Sequence, residues 1–254
     1  MTASNKLAEQ LITLYRQKFT GVLLITAQDD HQQWEIFIYS GKYLWTEGGY
    51  HFHRSWRRNI RYCCPGVNST QISLRAQPQM RSLSYCLLNT LLQRKIITRN
   101  QAIALIKNLS QEIFFDLWQK EYKSSLEYSQ ETTSAHYLLK AGFNLSLDFI
   151  NLEQMLFQSQ TTWSAWGAKG LASCSPHRAP LLKGYQELQK QLPDLIFSNM
   201  TRLLNGQRTL RDLALKMDKS VLDLTCGLVP YFFKGYLRLL EIPDLPPISC
   251  STKD

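Results

Sequence analysis

Residues 19–49 read FTGVLLITAQDDHQQWEIFIYSGKYLWTEGG, and this stretch decides the fold. Val22 to Ala27 and Trp34 to Tyr39 are runs rich in β-branched and aromatic residues, separated by the polar segment Gln28 to Gln33, which holds Asp29, Asp30 and His31. The pattern predicts a hairpin with a longish loop. Gly41-Lys42 follows at once and leads into a third β-prone run, Tyr43 to Thr46, which Gly48-Gly49 breaks. Three strands joined in succession in this way make an antiparallel meander.

Working outward, Leu7, Leu11, Leu14 and Tyr15 recur at helical spacing, so Lys6 to Lys18 reads as an amphipathic helix ahead of the meander. Downstream, Leu83 to Arg94, Arg99 to Leu109 and Gln111 to Trp118 read as three helices, with Asn100 and Ser110 as caps at the last two junctions. Tyr122 to Tyr128 returns to alternation and adds a strand, and Phe143 to Leu171 is helical in pattern. After the loop Ser173 to Ala179 comes a helical series: Leu181 to Leu192, Asp194 to Leu204, Leu210 to Met217 and Val221 to Phe233. Tyr236 to Ile242 reads as a short terminal strand, and Pro243, Pro246 and Pro247 turn the end of the chain into an extended tail. The expectation is an α+β protein in which an antiparallel β-meander with flanking helices is followed by a mainly helical, winged-helix-like C-terminal region. The boundaries expected are an α+β part over 1–130, a helical part over 131–247 and a tail over 248–254.

With 254 residues, 44% of them hydrophobic and 19% charged, the chain is long enough and apolar enough to bury a core without staples. Lys and Arg outnumber Asp and Glu by 29 to 20, and the net charge of +9 suits an acidic partner surface. Charges at Lys6, Glu9, Arg16 and Lys18 interrupt the first apolar pattern, and no apolar run approaches a membrane span, so a cytoplasmic location without membrane insertion is expected. The six cysteines show no C-x-x-C spacing and read as reduced thiols.

No G-x-S-x-G, H-E-x-x-H, Walker loop or G-x-G-x-x-G occurs. His51 and His53 stand two apart with no nearby carboxylate or thiol ligand set, so no metal site is expected. The expectation is a protein that is not an enzyme and holds no cofactor.

The most informative local feature is HFHRSWRRNIR, residues 51–61. Arg54, Arg57, Arg58 and Arg61 fall at helical offsets, and with His51 and Trp56 they form the candidate partner-binding set, since Trp and Arg dominate binding hot spots. The plain alternative is a helix whose arginines are solvated and whose tryptophan packs into the core. A nucleic-acid-binding regulator using this basic helix is the rival function, because four arginines can neutralise a phosphate backbone. A second nucleic-acid candidate, the helix pair Thr209 to Met217 and Ser220 to Phe233, lacks base-reading donors, offering Asp223 and Thr225 amid apolar residues and Pro230. It reads as a packing unit, and nucleic acid is not the expected partner.

Phe19-x-Gly21-x-Leu23, Trp34 with Phe37 and Tyr39, Gly41-Lys42-x-Leu44-Trp45, Gly48-Gly49, His51 and Arg54-x-Trp56-Arg57-Arg58 together resemble the opening of the PATAN domain, the N-terminal half of cyanobacterial PatA-type response regulators. Glu112-x-x-Phe115-Asp116-Leu117 and Trp163-x-x-Trp166 with Gly170-Leu171 resemble its middle and later helices. Leu204-x-Gly206-x-x-Thr209-Leu210-x-Asp212-Leu213-Ala214, Leu228-x-Pro230-Tyr231 and Ile242-Pro243-Asp244-Leu245 resemble its closing segments, so nearly the whole chain is covered. The resemblance implies a protein-interaction output module that controls type IV pilus-dependent phototaxis by engaging the pilus extension ATPase or a BLUF photoreceptor, or else acts in heterocyst patterning as PatA does. It also implies a receiver domain after the Ile-Pro-Asp-Leu stretch. These 254 residues hold no receiver aspartate pocket, so receiver phosphorylation is not expected within them.

Overall fold

The computed structural model describes residues 6–67, 81–143 and 150–247. The chain divides into two compact units, Met1–Ala165 with Asp244–Asp254, and Trp166–Pro243. Residue 130, the boundary expected from the sequence, falls within the strand Leu126–Thr132 of the first sheet.

In the first unit, α1 (Lys6–Arg16) buries Leu7, Leu11 and Leu14 on one stripe. β1 (Gly21–Ala27), β2 (Gln33–Tyr39) and β3 (Lys42–Gly48) form the expected meander. The β2–β3 connection is only Ser40-Gly41, because Tyr39 already faces Lys42. Both loop residues have positive φ, 49° and 80°, the arrangement of a type I′ turn, whose twist matches that of the flanking strands. A Cβ on Gly41 would lie 2.5 Å from the Tyr15 carbonyl oxygen. Gly41→Ala is therefore expected to destabilise the first unit by about 2 kcal/mol, combining left-handed backbone strain with a backbone clash, as read by urea unfolding.

β4 (Leu126–Thr132) completes the sheet by pairing with the other side of β1, in the order β3-β2-β1-β4, with every pair antiparallel. Register slips between Phe37 and Ile38, so that Phe37 faces Trp45 while Ile38 faces Tyr43, leaving Leu44 as an extra residue. The bulge sends Tyr43 and Trp45 to opposite faces, where plain alternation would put them on one. Tyr43 meets Phe114, 5.9 Å between ring centroids, and its hydroxyl shares a 2.6 Å hydrogen bond with Ser110. Trp45 meets Tyr85 and Trp56 at 5.4 and 6.1 Å.

Those contacts place the helices. α4 (Arg99–Lys123) runs as one helix on the Tyr43 face, where the sequence pattern predicts two. Thr98 caps it in a reciprocal capping box with Gln101. Ser110 sits in mid-helix, donating back to the Ile106 carbonyl, so it starts nothing. α3 (Leu83–Gln93), capped by Ser82, covers the other face through Tyr85 and, with it, Phe143 against Phe37. Arg81, at the entrance to α3, bridges Glu35 of β2 and Glu131 of β4 at 3.1 and 3.0 Å. α2 (Phe52–Cys63) packs along α4, α5 (Ala135–Lys140) follows β4, and α6 (Leu152–Ala168) meets α4 through Trp118–Ser159 and Phe115–Trp163 contacts.

The second unit is mainly helical. β5 (Ala179–Leu182) pairs antiparallel with β6 (Leu237–Leu240). Leu181 and Leu182 are thus strand, where the pattern predicts a helix start. Between the two strands lie α7 (Tyr185–Gln191), α8 (Asp194–Leu203), α9 (Leu210–Lys216) and α10 (Val221–Phe233). Thr209 and Ser220 cap the last two, and Leu182, Leu204, Leu210, Leu213, Leu224, Leu228 and Leu237 are among the buried core residues. The helix pair and closing strand fit the winged-helix-like expectation. The N-terminal turn of α10 holds Asp223 on Ser220, and Thr225 is buried with its hydroxyl on the Val221 carbonyl. Asp223 is exposed but is a carboxylate tied to the Ser220 cap, and Thr225 is buried, so neither is a base reader.

Candidate functional site

α2 begins without a cap of its own. His51 occupies the N-cap position at φ 49°, and its side chain makes no capping hydrogen bond. The first N–H groups of a helix have no partner within the helix, and here Asp244 supplies one. Its Oδ2 accepts from the His53 N–H and its Oδ1 from the Arg54 N–H, both at 2.9 Å. These are the donors that a serine or aspartate at the N-cap ordinarily takes. One turn on, Arg57 Nη2 donates to the Pro246 carbonyl at 2.8 Å. Residues 244–247 thus lie across the start of the helix and reach its outer row. Burial holds the His53 imidazole below its usual value, with Arg57 adding to this and Asp244 opposing it.

The inner side is a second network. Glu112 of α4 accepts from Ser55 Oγ at 2.9 Å, from Asn59 Nδ2 at 3.0 Å and from Arg58, whose Nη2 also donates to Ser55 Oγ at 2.9 Å. Arg58 is 9% exposed and Trp56 is 0% exposed.

The six candidate residues therefore separate. Two positions along an α-helix turn about 200° and five about 140°, so Trp56 points away from Arg54 and Arg61, sharing the buried side with Phe52 and Ile60. It belongs to the core against Trp45 and is not a surface anchor. Arg58 is paired internally. His51, Arg54 and Arg57 are half-buried, and only Arg61 of the set is exposed, next to Tyr62 at 61%. The single cationic face built around a tryptophan is corrected to an outer row of Arg54, Arg57 and Arg61 and an inner pair of Trp56 and Arg58. Asp244 and Glu112 had no part in the expected site, although both lie in segments that carry the family resemblance. The segments around Glu112 and Asp244 each reach α2, through two separate networks.

No protein-family model matches the chain, and neither does any curated protein or solved structure.

Other polar clusters of the first unit are structural in geometry. Lys120 is buried and bridges Asp29 and Asp30 of the β1–β2 loop at 2.7 and 2.8 Å, with Tyr50 donating to Asp30. The hydrogen bond from Lys120 holds Asp29 below the ordinary carboxylate value. Glu47, at the end of β3, accepts from Trp45 Nε1, Ser82 Oγ and Ser84 Oγ. Among the described residues no group of three or more His, Cys, Asp or Glu could hold a metal ion, and no helix is long and apolar enough to cross a membrane. Cys63, Cys64, Cys86, Cys174 and Cys226 are free thiols.

Glu47 gives the first unit a pH dependence. Burial pushes its carboxyl up to about 7 against the hydrogen bonds of Ser82, Trp45 and Ser84, and Glu35 adds to the rise. In the unfolded chain it titrates near 4.5, so between 4.5 and 7 the folded state binds the extra proton. Stability from this group is full below the lower value and falls as pH rises through the upper one, by at most about 3 kcal/mol. Glu47→Gln is expected to gain stability relative to the wild type between pH 5 and pH 8 in urea titrations, and parallel curves for the two would refute the assignment.

Proposed function

We propose that this chain is a non-enzymatic signalling adaptor of the PATAN type, binding partner proteins to control type IV pilus-dependent phototaxis. Its partner is the pilus extension ATPase or a BLUF photoreceptor. The motif series supports the family, and the convergence of two of its segments on α2 gives them a common structural reason. The observation that carries the binding role is the outer end of α2, where exposed Arg61 and Tyr62 stand one turn beyond Arg57. Arginine and tyrosine are favoured anchor residues, and a positive rim steers encounter with an acidic surface.

The test is capture of purified pilus ATPase and of the photoreceptor by the wild type and by an Arg61→Glu, Tyr62→Ala double variant. Surface changes of this kind leave stability within about 0.5 kcal/mol, so a loss of capture reads on binding. At least a ten-fold loss is expected for the true partner. Unchanged capture would remove this end of α2 from the account, and capture of neither protein by the wild type would remove the phototaxis reading. The net charge of +9 also keeps the nucleic-acid regulator in play; it predicts duplex binding that weakens steeply with salt.

A further inference from the structure

The start of α2 is closed by a residue 191 positions from His53. A side chain at position 51 could cap the helix locally, yet His51 makes no capping bond. The contact that replaces it is polar and partly open to solvent. Asp244 and Leu245 are half-buried, Pro246 and Pro247 are exposed, and the two prolines offer no N–H for a strand ladder. Among the bonds that hold the segment are one carboxylate on two amides and one guanidinium on a carbonyl.

We propose that residues 244–247 are an autoinhibitory cover, an intramolecular ligand on the first turn and outer row of α2. An extended acidic peptide of a partner protein takes the same place when the cover leaves. The inference rests on the adaptor reading and adds the partner's chemistry: a carboxylate to meet the His53 and Arg54 amides, with a backbone carbonyl two residues later to meet Arg57. Further acidic residues would meet Arg61. Attachment in cis gives the cover a high effective concentration, so a free peptide competes poorly until the cover is weakened.

The experiment uses the full chain, the variant Asp244→Ala and a synthetic peptide of residues Glu241 to Pro247, EIPDLPP. A control peptide carries alanine for the aspartate. Amide hydrogen exchange and NMR shifts are read at His53 and Arg54, with Leu109 to Leu117 of α4 as the folding control. In Asp244→Ala the two amides are expected to exchange at least ten-fold faster while α4 stays protected. Added peptide should restore their protection, half-saturating at a concentration at least ten-fold lower than in the wild type, and the control peptide should not. Unchanged exchange in the variant overturns the cover. Faster exchange that the peptide does not reverse also overturns it, leaving Asp244 a helix cap only. Should α4 lose protection as well, Asp244→Asn, which keeps an acceptor without the charge, gives the same reading. Because the peptide assay needs no biological partner, its failure leaves the adaptor reading standing, and failed capture of the ATPase and the photoreceptor leaves the cover standing.

Discussion

Trp56→Ala is expected to lower the unfolding free energy of the first unit by about 3–5 kcal/mol, the cost of truncating a fully buried aromatic side chain. The indole is 0% exposed and packs edge-on against Trp45, which in turn meets Tyr85 of α3. Removing it opens a cavity between α2 and β3, beside a Trp45 that Tyr85 of α3 holds from another side, so the surroundings cannot simply close in. Against a typical total of about 5–15 kcal/mol, the loss is large enough to leave part of the chain unfolded at ambient temperature. Urea denaturation followed by tryptophan fluorescence measures it, and Trp56→Phe should recover more than half. A surface anchor would behave in the opposite way, with the alanine variant as stable as the wild type.

Arg58→Ala should cost a similar amount, about 3–5 kcal/mol, for a different reason. Glu112 receives Arg58, Ser55 and Asn59 together, and without the guanidinium its charge is left poorly compensated against α2. Replacing both partners, Arg58→Met with Glu112→Leu, removes the stranded charge. The double variant should therefore be more stable than either single one, and the cycle should show a coupling of about 2 kcal/mol or more. Additive losses would mean that the pair does not act as a unit. The same logic makes a charge reversal at Arg58 useless as a probe of partner binding, since it would place two carboxylates side by side inside the fold.

The meander is legible in the sequence because its runs of β-branched and aromatic residues stand between strong breaks, although the turn is Ser40-Gly41 and Lys42, read with Gly41 as the break, already belongs to β3. α4 reads there as two helices because Ser110 resembles a cap; only its place opposite Tyr43 in the fold shows that its hydroxyl is used inside a continuous helix. The bulge at Leu44 is invisible, since nothing in Tyr43-Leu44-Trp45 announces an extra residue, although a run of four buried positions from Tyr43 to Thr46 is its trace. That Trp56 lies away from Arg54 and Arg61 is readable from helical geometry alone, because separations of two and five residues turn it to the far side; that Arg58 is buried as well is not. What no local pattern carries is the capping of α2 by Asp244 and the pairing of Arg58 with Glu112. Both depend on which distant segments the topology brings together.

The place of β4 in the sheet bears on how this protein is made. β1 lies in the middle of the sheet, and one of its two hydrogen-bonding edges waits for a strand that begins at Leu126, some hundred residues after β1 ends. At synthesis rates of about 5–20 residues per second, that edge stays open on the nascent chain for roughly 5–20 s. During this interval Gly21 to Ala27, an apolar run with no charge in it, is an inviting template for pairing between ribosome-bound neighbours.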